Sequence, residues 1–211
     1  MRGSKPWKRQ VGPGNDPLIA GATIFEACPV FCALPPEIKP IAPSMRLFGP
    51  ARTVLLPAAD NLWLHRALCA AFPSEVLVAA TKGGEEAGYW GEIMTAAAQH
   101  RSLGGLVIDG CVRDSAAIAK ARFPVFARGL YVGGTSKLGT GGGFDVPITI
   151  GKVRIRSGDL IVGDADGVVA IPRESIAETL AAAAERTGRE RQMLRRIRRG
   201  ELSLDVLGLP R

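Results

Sequence analysis

An α/β fold is what this sequence predicts: an αββα-type sandwich in which helices cover a largely parallel sheet, a β unit fills the second half, and a long helix follows. Three observations predict it. Compact apolar runs alternate with helical segments over residues 52–121, as β-α-β-α units require. Five short apolar runs divided by Gly-containing turns crowd into residues 124–171. An uninterrupted helical stretch then runs from Pro172 and Arg173 to Gly200.

Taken in order, residues 1–17 are rich in Gly, Pro and basic side chains and read as a flexible arm, which leaves 18–211 as a single domain. Thr23 is expected to cap a short helix carrying Glu26. The prolines from Pro35 to Pro50 enforce an extended path, and residues 52–56 form a strand. Asp60 and Asn61 cap a helix over 62–72, and 75–80 is a continuous apolar strand. The Gly-rich stretch Lys82 to Gly91 opens a helix over 92–99; a buried strand, 105–108, and a helix, 114–121, come next. The second-half strands are 124–128, 147–150, 153–155, 160–162 and 168–171. Functional groups in such sheets collect beyond the carboxyl ends of the strands, where Glu92, Arg113 and Asp114 lie.

Composition narrows the chemistry. The 211 residues are 46% hydrophobic and 22% charged, so the chain folds rather than staying disordered. The apolar runs are too short to span a bilayer and no signal-peptide pattern opens the chain, so a cytoplasmic protein is expected. Cys28, Cys32, Cys69 and Cys111 include no Cys-x-x-Cys pair, which predicts reduced, mostly buried thiols. Two histidines, His65 and His100, exclude a three-histidine zinc site. The net charge of +7 is concentrated at Arg2, Lys5, Lys8 and Arg9 and in the helix bearing Arg186, Arg189, Arg191, Arg195, Arg196, Arg198 and Arg199. No aromatic residues interleave with these arginines, so nucleic acid is not an expected partner. Gly133 to Gly143 lacks the Gly-Lys-Ser/Thr end of a phosphate loop and reads as a mobile surface loop, with Ser136 and Lys137 able to touch an anion. Asp164-Ala-Asp-Gly167 lacks the terminal Glu of a calcium loop and reads as a turn.

The stretch Gly105-Leu-Val-Ile-Asp-Gly-Cys-Val-Arg-Asp114 carries the most chemistry. It delivers Arg113 and Asp114 together to the start of a helix. The Arg guanidinium can grip a carboxylate through two hydrogen bonds, and the Asp oxygen suits Mg²⁺ or Mn²⁺.

Five segments resemble one family in the same order: Asp60-Asn-Leu-Trp-Leu-His65, Glu86-Ala-Gly-Tyr-Trp-Gly-Glu92, residues 105–114, Gly158-Asp-Leu-Ile-Val-Gly-Asp-Ala-Asp-Gly-Val-Val169 and Gly200-Glu-Leu-Ser-Leu-Asp205. The chain resembles the class II pyruvate aldolases of the 4-hydroxy-4-methyl-2-oxoglutarate / 4-carboxy-4-hydroxy-2-oxoadipate aldolase group, in the RraA-like family that also includes a ribonuclease regulator. The resemblance implies a swivelling β/β/α-like fold and a divalent-metal-dependent lyase of aromatic degradation. Such an enzyme releases pyruvate and a second 2-oxo acid through a stabilised enolate, with oxaloacetate decarboxylation as a side activity. It implies that Asp114 coordinates Mg²⁺ or Mn²⁺, that Arg113 binds the keto acid, and that Gly91, Glu92, Ile93 and Met94 form the wall whose N–H groups hold the pyruvate carboxylate. Glu92 and Glu26 match acids that hold metal-bound waters. Glu190 is the candidate for an acid supplied by the C-terminal helix of a neighbouring subunit in a trimer or hexamer.

In the aldolase pattern an acid follows three positions after the Asp, where this chain has Ala117. Tyr89 and Trp90 are expected to border the pocket, Trp63 to be a core or interface residue, and His65 to be a hydrogen-bonded helix residue. The alternative is a noncatalytic regulator that binds a ribonuclease or another protein.

Overall fold

A run of Val-Leu-Val-Ala-Ala with no polar alternation belongs in the middle of a sheet covered on both faces. In the computed structural model, which describes residues 19–83 and 86–211, that is where it lies. The arm expected over 1–17 falls outside the described residues. In chain order the elements are α1 (Gly21–Ala27), β1 (Lys39–Pro40), β2 (Leu47–Leu56), α2 (Leu62–Ala70), β3 (Val76–Thr81), α3 (Glu92–His100), β4 (Gly105–Val112) and α4 (Ser115–Ala121). They continue with β5 (Val125–Leu130), β6 (Gly143–Phe144), β7 (Ile148–Ile150), β8 (Val153–Ile155), β9 (Leu160–Asp164), β10 (Gly167–Ile171), α5 (Ile176–Arg198) and α6 (Ser203–Leu207).

The main sheet has the order β1-β5-β4-β3-β2-β9-β10, with β6 also on β2. Its centre, β2 to β5, is parallel. The second-half strands are present, and they attach directly: β9 pairs antiparallel with residues 47–50 of β2, while residues 51–56 pair with β3. Only β7 and β8 form a separate hairpin. Residues 32–34 run beside β10, with Leu34 N–H donating to Val168 O at 2.9 Å and Ala170 N–H to Cys32 O at 2.8 Å. The same stretch continues into β1, which pairs with β5. One segment thus bridges both sheet edges and draws the sheet toward a barrel. Inside, Gly163 faces the Phe126 ring, where a Cβ would lie 2.9 Å from Cζ.

The large core cluster packs around β2–β5, and a smaller one holds Ile24, Cys32, Val169, Ile171 and Ala183 between α1, β10 and α5. Among the described residues no helix is long and apolar enough to cross a membrane. Thr23 does not cap α1; it is a buried residue within the helix, and Ala20 precedes it without a side-chain cap. None of the four cysteines forms a disulfide, but only Cys32 is fully buried; Cys69 is exposed and the other two are intermediate. Burial, followed by the neighbouring Cys28, pushes the Cys32 thiol up to about 12.

Strand β4 begins at Gly105 with φ 151°, and a Cβ there would sit 2.8 Å from both Leu47 Cδ1 and Pro124 O. Gly105→Ala is therefore expected to cost about 3 kcal/mol, from backbone strain and overpacking together. Urea unfolding checks this: the midpoint should fall while the slope stays constant.

Candidate active site

Strand β4 runs four residues beyond the expected 105–108, and its register against β5 shifts between Ile108 and Cys111. Such a shift bends the strand and re-aims the residues at its end. Residues 88–90 lie along the end of β4: Tyr89 N–H donates to Cys111 O at 3.0 Å and Arg113 N–H to Trp90 O at 2.8 Å. On the far side Gly88 N–H donates to Gly133 O at 2.8 Å. Only glycine fits at 88, because a Cβ would lie 2.6 Å from Tyr131 O.

The site forms where this ribbon enters α3. Asp114 precedes α4 in the left-handed conformation, φ 59° and ψ 35°, which is uncommon for a residue with a side chain. In that pose its Oδ2 accepts the Glu92 N–H at 3.0 Å. The contact requires Gly91, since a Cβ there would stand 2.3 Å from Asp114 Oδ2. The starts of α3 and α4 are thus joined through one carboxylate. Arg113 Nε is 4.0 Å from the same oxygen, a loose pair with both side chains a little under half exposed. Its Nη1 lies beside Gly134, where a Cβ would be 3.4 Å away.

The first N–H groups of a helix have no intrahelical acceptor. That of Glu92 is taken by Asp114, and those of Ile93 and Met94 have no acceptor among the described residues. An arginine with spare donors, two open amides and a half-exposed carboxylate together suit an anion and a cation side by side.

The structure therefore gathers Gly91, Glu92, Ile93, Met94, Arg113 and Asp114. Glu92 is exposed, Ile93 projects its side chain outward at 82% exposure, and Met94 is 5% exposed, so Met94 can offer only its backbone. Glu26 and Glu190 lie elsewhere in the chain. Glu26 on α1 pairs with Arg186 of α5, whose Nε also donates to Glu190 Oε1 at 2.9 Å; Thr23 Oγ1 donates to Glu190 Oε2 at 3.3 Å. No hydrogen bond or ion pair among the described residues links this knot to Arg113, Asp114 or Glu92.

Tyr89 and Trp90 do not border a pocket. Both are fully buried: Tyr89 Oη accepts the Ala59 N–H at 2.8 Å, and Trp90 Nε1 donates to Thr95 Oγ1 at 2.8 Å while its ring stacks on Phe123. Trp63 packs against Phe144 and donates to Gly139 O at 2.8 Å. Burial and then the nearby Lys137 draw the His65 pKa down, and no hydrogen bond to its imidazole is found among the described residues.

No local sequence signal marks Asp60 as a support of this site. It caps α2 as expected, with Leu62 N–H donating to Oδ1 at 3.0 Å. Its Oδ2 also accepts Ser136 Oγ–H, Leu138 N–H and Gly139 N–H, which ties down the stretch expected to be a mobile loop. Burial alone would raise its pKa; the Leu62, Gly139 and Leu138 amides with the Ser136 hydroxyl override that and hold it at about 2.

The RraA-like profile, described as Aldolase/RraA, matches residues 22–170. The chain belongs to the RraA-like family. A protein of Halalkalibacterium halodurans named "Putative 4-hydroxy-4-methyl-2-oxoglutarate aldolase" is 41% identical over 136 residues, 64% of this chain and 64% of that relative's own length. An uncharacterized protein of Methanocaldococcus jannaschii is 36% identical over 82% of this chain and 83% of its own. Among solved structures, an uncharacterized protein from Pseudomonas syringae superposes with a TM-score of 0.79 at 26% identity, over 90% of this chain and 89% of that one. The RNA-processing inhibitor RraA from Thermus thermophilis does so with a TM-score of 0.61 at 25% identity, over 66% of this chain and 84% of its own. This RraA-like chain thus has relatives named for catalysis and for inhibition.

The Asp60 pKa lies below its ordinary 3.8, so its stabilisation is full above about pH 4 and drains away as pH falls toward 2. Asp60→Asn is expected to cost about 2 kcal/mol at pH 7 in chemical unfolding, and the gap from wild type should close as pH approaches 2.

Proposed function

We propose that this RraA-like protein is a divalent-metal-dependent lyase. It would cleave 4-hydroxy-4-methyl-2-oxoglutarate or 4-carboxy-4-hydroxy-2-oxoadipate to pyruvate and a second 2-oxo acid, and decarboxylate oxaloacetate as a side reaction. The observation that carries this reading is the half-exposed Arg113–Asp114 pair facing the open amides of α3 across Gly91. Among the described residues no three His, Cys, Asp or Glu side chains converge to cage a metal ion. A single carboxylate fits Mg²⁺ or Mn²⁺, which keep several water or substrate oxygens. Asp114 would hold the cation with the oxygen that Glu92 N–H leaves open. When bound, that cation supplies Lewis-acid charge opposite the oxygen that becomes negative.

The remaining work falls to the chain. The Ile93 and Met94 amides would bind the pyruvoyl carboxylate, as helix N-termini do. Arg113 would hydrogen-bond the keto oxygen, more strongly as charge develops there. Glu92, at the rim, would take the proton of the substrate hydroxyl directly or through a water. The bond between the hydroxyl-bearing carbon and the next carbon toward the ketone then breaks, and its electron pair becomes the pyruvate enolate, which is protonated on carbon. Oxaloacetate yields the same enolate by losing CO₂ and needs no hydroxyl proton removed. Ala117, one turn along α4 from Asp114, offers no acid to assist, which favours decarboxylation over aldol cleavage.

Glu26 and Glu190 enter this reading only as groups of a neighbouring subunit in a homo-oligomer. The exposed Leu194 and Ile197 of α5, and Ile93, Val132 and Leu138 on the body, support such an assembly. An inhibitory role of the kind named for the Thermus protein would have no use for the open amides beside Arg113.

Pyruvate release from oxaloacetate and from 4-carboxy-4-hydroxy-2-oxoadipate tests the reading. It should require Mg²⁺ or Mn²⁺, stop with chelator, and fall at least about 100-fold in Arg113→Ala and Asp114→Ala. Release that survives chelation or Asp114→Ala overturns it. Gly91→Ala, whose methyl group would displace the Asp114 carboxylate, should lose activity similarly while keeping its thermal midpoint.

A further inference from the structure

The turn before α2 touches both walls of the site from behind. Asp60 and Asn61 are 3% and 6% exposed, so neither side chain is available to solvent. Asp60 Oδ2 holds Ser136, Leu138 and Gly139, the stretch that follows Gly134 beside the Arg113 guanidinium. Asn61 Nδ2 donates to Tyr89 O at 2.9 Å, and Met94 Sδ lies 3.6 Å from the same nitrogen. Backbone bonds lace the two together: Asn61 N–H to Ser136 O at 3.2 Å and Ser136 N–H to Ala59 O at 2.8 Å.

Asn61 is an odd choice for a core position. Its side chain makes no cap bond to α2, and its Oδ1 is buried without a partner among the described residues. A buried acceptor left unmet is destabilising, and an apolar residue of the same size would avoid it. The function its amide does perform is to fix the Tyr89 carbonyl, two residues before Gly91, and to touch the first turn of α3 at Met94. Trp90, between them, receives the Arg113 N–H.

We infer that Asn61 is a positioning residue: it sets the amides of residues 91–94 against Arg113 and Asp114, and with Asp60 it couples that wall to the 134–139 stretch. Releasing the Tyr89 carbonyl lets the start of α3 drift from Asp114, and displacements well under 1 Å matter for groups that must converge on one anion. The ligand consequence rests on the lyase reading above; the structural consequence does not.

The test compares the full-length wild type with Asn61→Leu and Ser136→Ala, by hydrogen exchange and by binding of oxalate, a planar mimic of the pyruvate enolate, in Mg²⁺. Asn61→Leu removes the donor and the unmet acceptor together. It also withdraws a donor from the Tyr89 carbonyl, so the two effects on stability oppose each other and the thermal midpoint should move little. Exchange over 88–95 should rise by roughly 10-fold with the β3 and β4 amides unchanged, and oxalate binding should weaken by roughly 10-fold. The oxaloacetate KM should rise with it while kcat changes little. Unchanged exchange over 88–95 overturns the inference, as does undiminished oxalate affinity in a variant whose loop has loosened. A wild type that does not bind oxalate sinks the lyase reading instead, and the exchange pattern then decides the positioning claim alone. Should Asn61→Leu fail to fold, Ser136→Ala decides: exchange must rise over both 136–139 and 88–95, by roughly 3-fold or more, and a rise confined to 136–139 overturns the coupling.

Discussion

One hydrogen bond, from the Glu92 amide to the Asp114 carboxylate, determines how the two halves of the site meet. It forms because Asp114 adopts a left-handed backbone conformation and because residue 91 has no side chain. Each condition is costly or restrictive by itself, and neither would persist unless the surroundings enforced it. The enforcement comes from the ribbon at residues 88–90, which is bonded to β4 on one side and to the 131–133 stretch on the other. Four consecutive decisions of the chain (Gly88 for close approach, buried Tyr89 and Trp90 as anchors, Gly91 as clearance) serve that single contact.

Charge is distributed by the same logic. The cationic and anionic groups that would meet substrate, Arg113 and Asp114, are left half exposed and loosely paired. The charges that hold structure are tightly matched. Arg52, 8% exposed, is bonded to Glu75 and Asp145 at 2.7 Å each, and Asp60 is saturated by amide and hydroxyl donors. Buried ions without partners are destabilising by several kcal/mol, so completed pairing is what allows these groups to lie within the core. An incompletely paired arginine at the end of a central strand is then informative, because it is available to a ligand.

The two ends of the described chain form a second assembly. Helix α1 packs on α5 over the smaller core cluster, and Arg186 gathers Glu26 and Glu190 across that contact. Beyond Ala183 no residue of α5 is buried, so past the Arg186 contact the arginine-rich end of the helix presents its charges together with Leu194 and Ile197 outward. The segment at residues 32–40 lies beside this assembly and bridges the β10 and β5 edges, so the α1/α5 layer is mounted on the closure of the sheet.

Local patterns were enough to determine the α/β class, the buried parallel strands, α2 to α5 within a few residues, and the placing of Glu92, Arg113 and Asp114 at strand ends, because apolar periodicity and Gly or Asp punctuation act over a few residues. Through a resemblance to a family, the same patterns picked out Gly91 to Met94 and Arg113–Asp114 as candidate site residues, and the fold sets them side by side. Tertiary structure alone decided the rest. That Asp60 would reach Ser136, Leu138 and Gly139, that Tyr89 and Trp90 would turn into the core, and that Glu26 and Glu190 would meet over Arg186 depend on contacts spanning 28 to 167 residues. No local pattern encodes such partners. They follow from which strand pairs with which and from where a missing Cβ lets two segments touch.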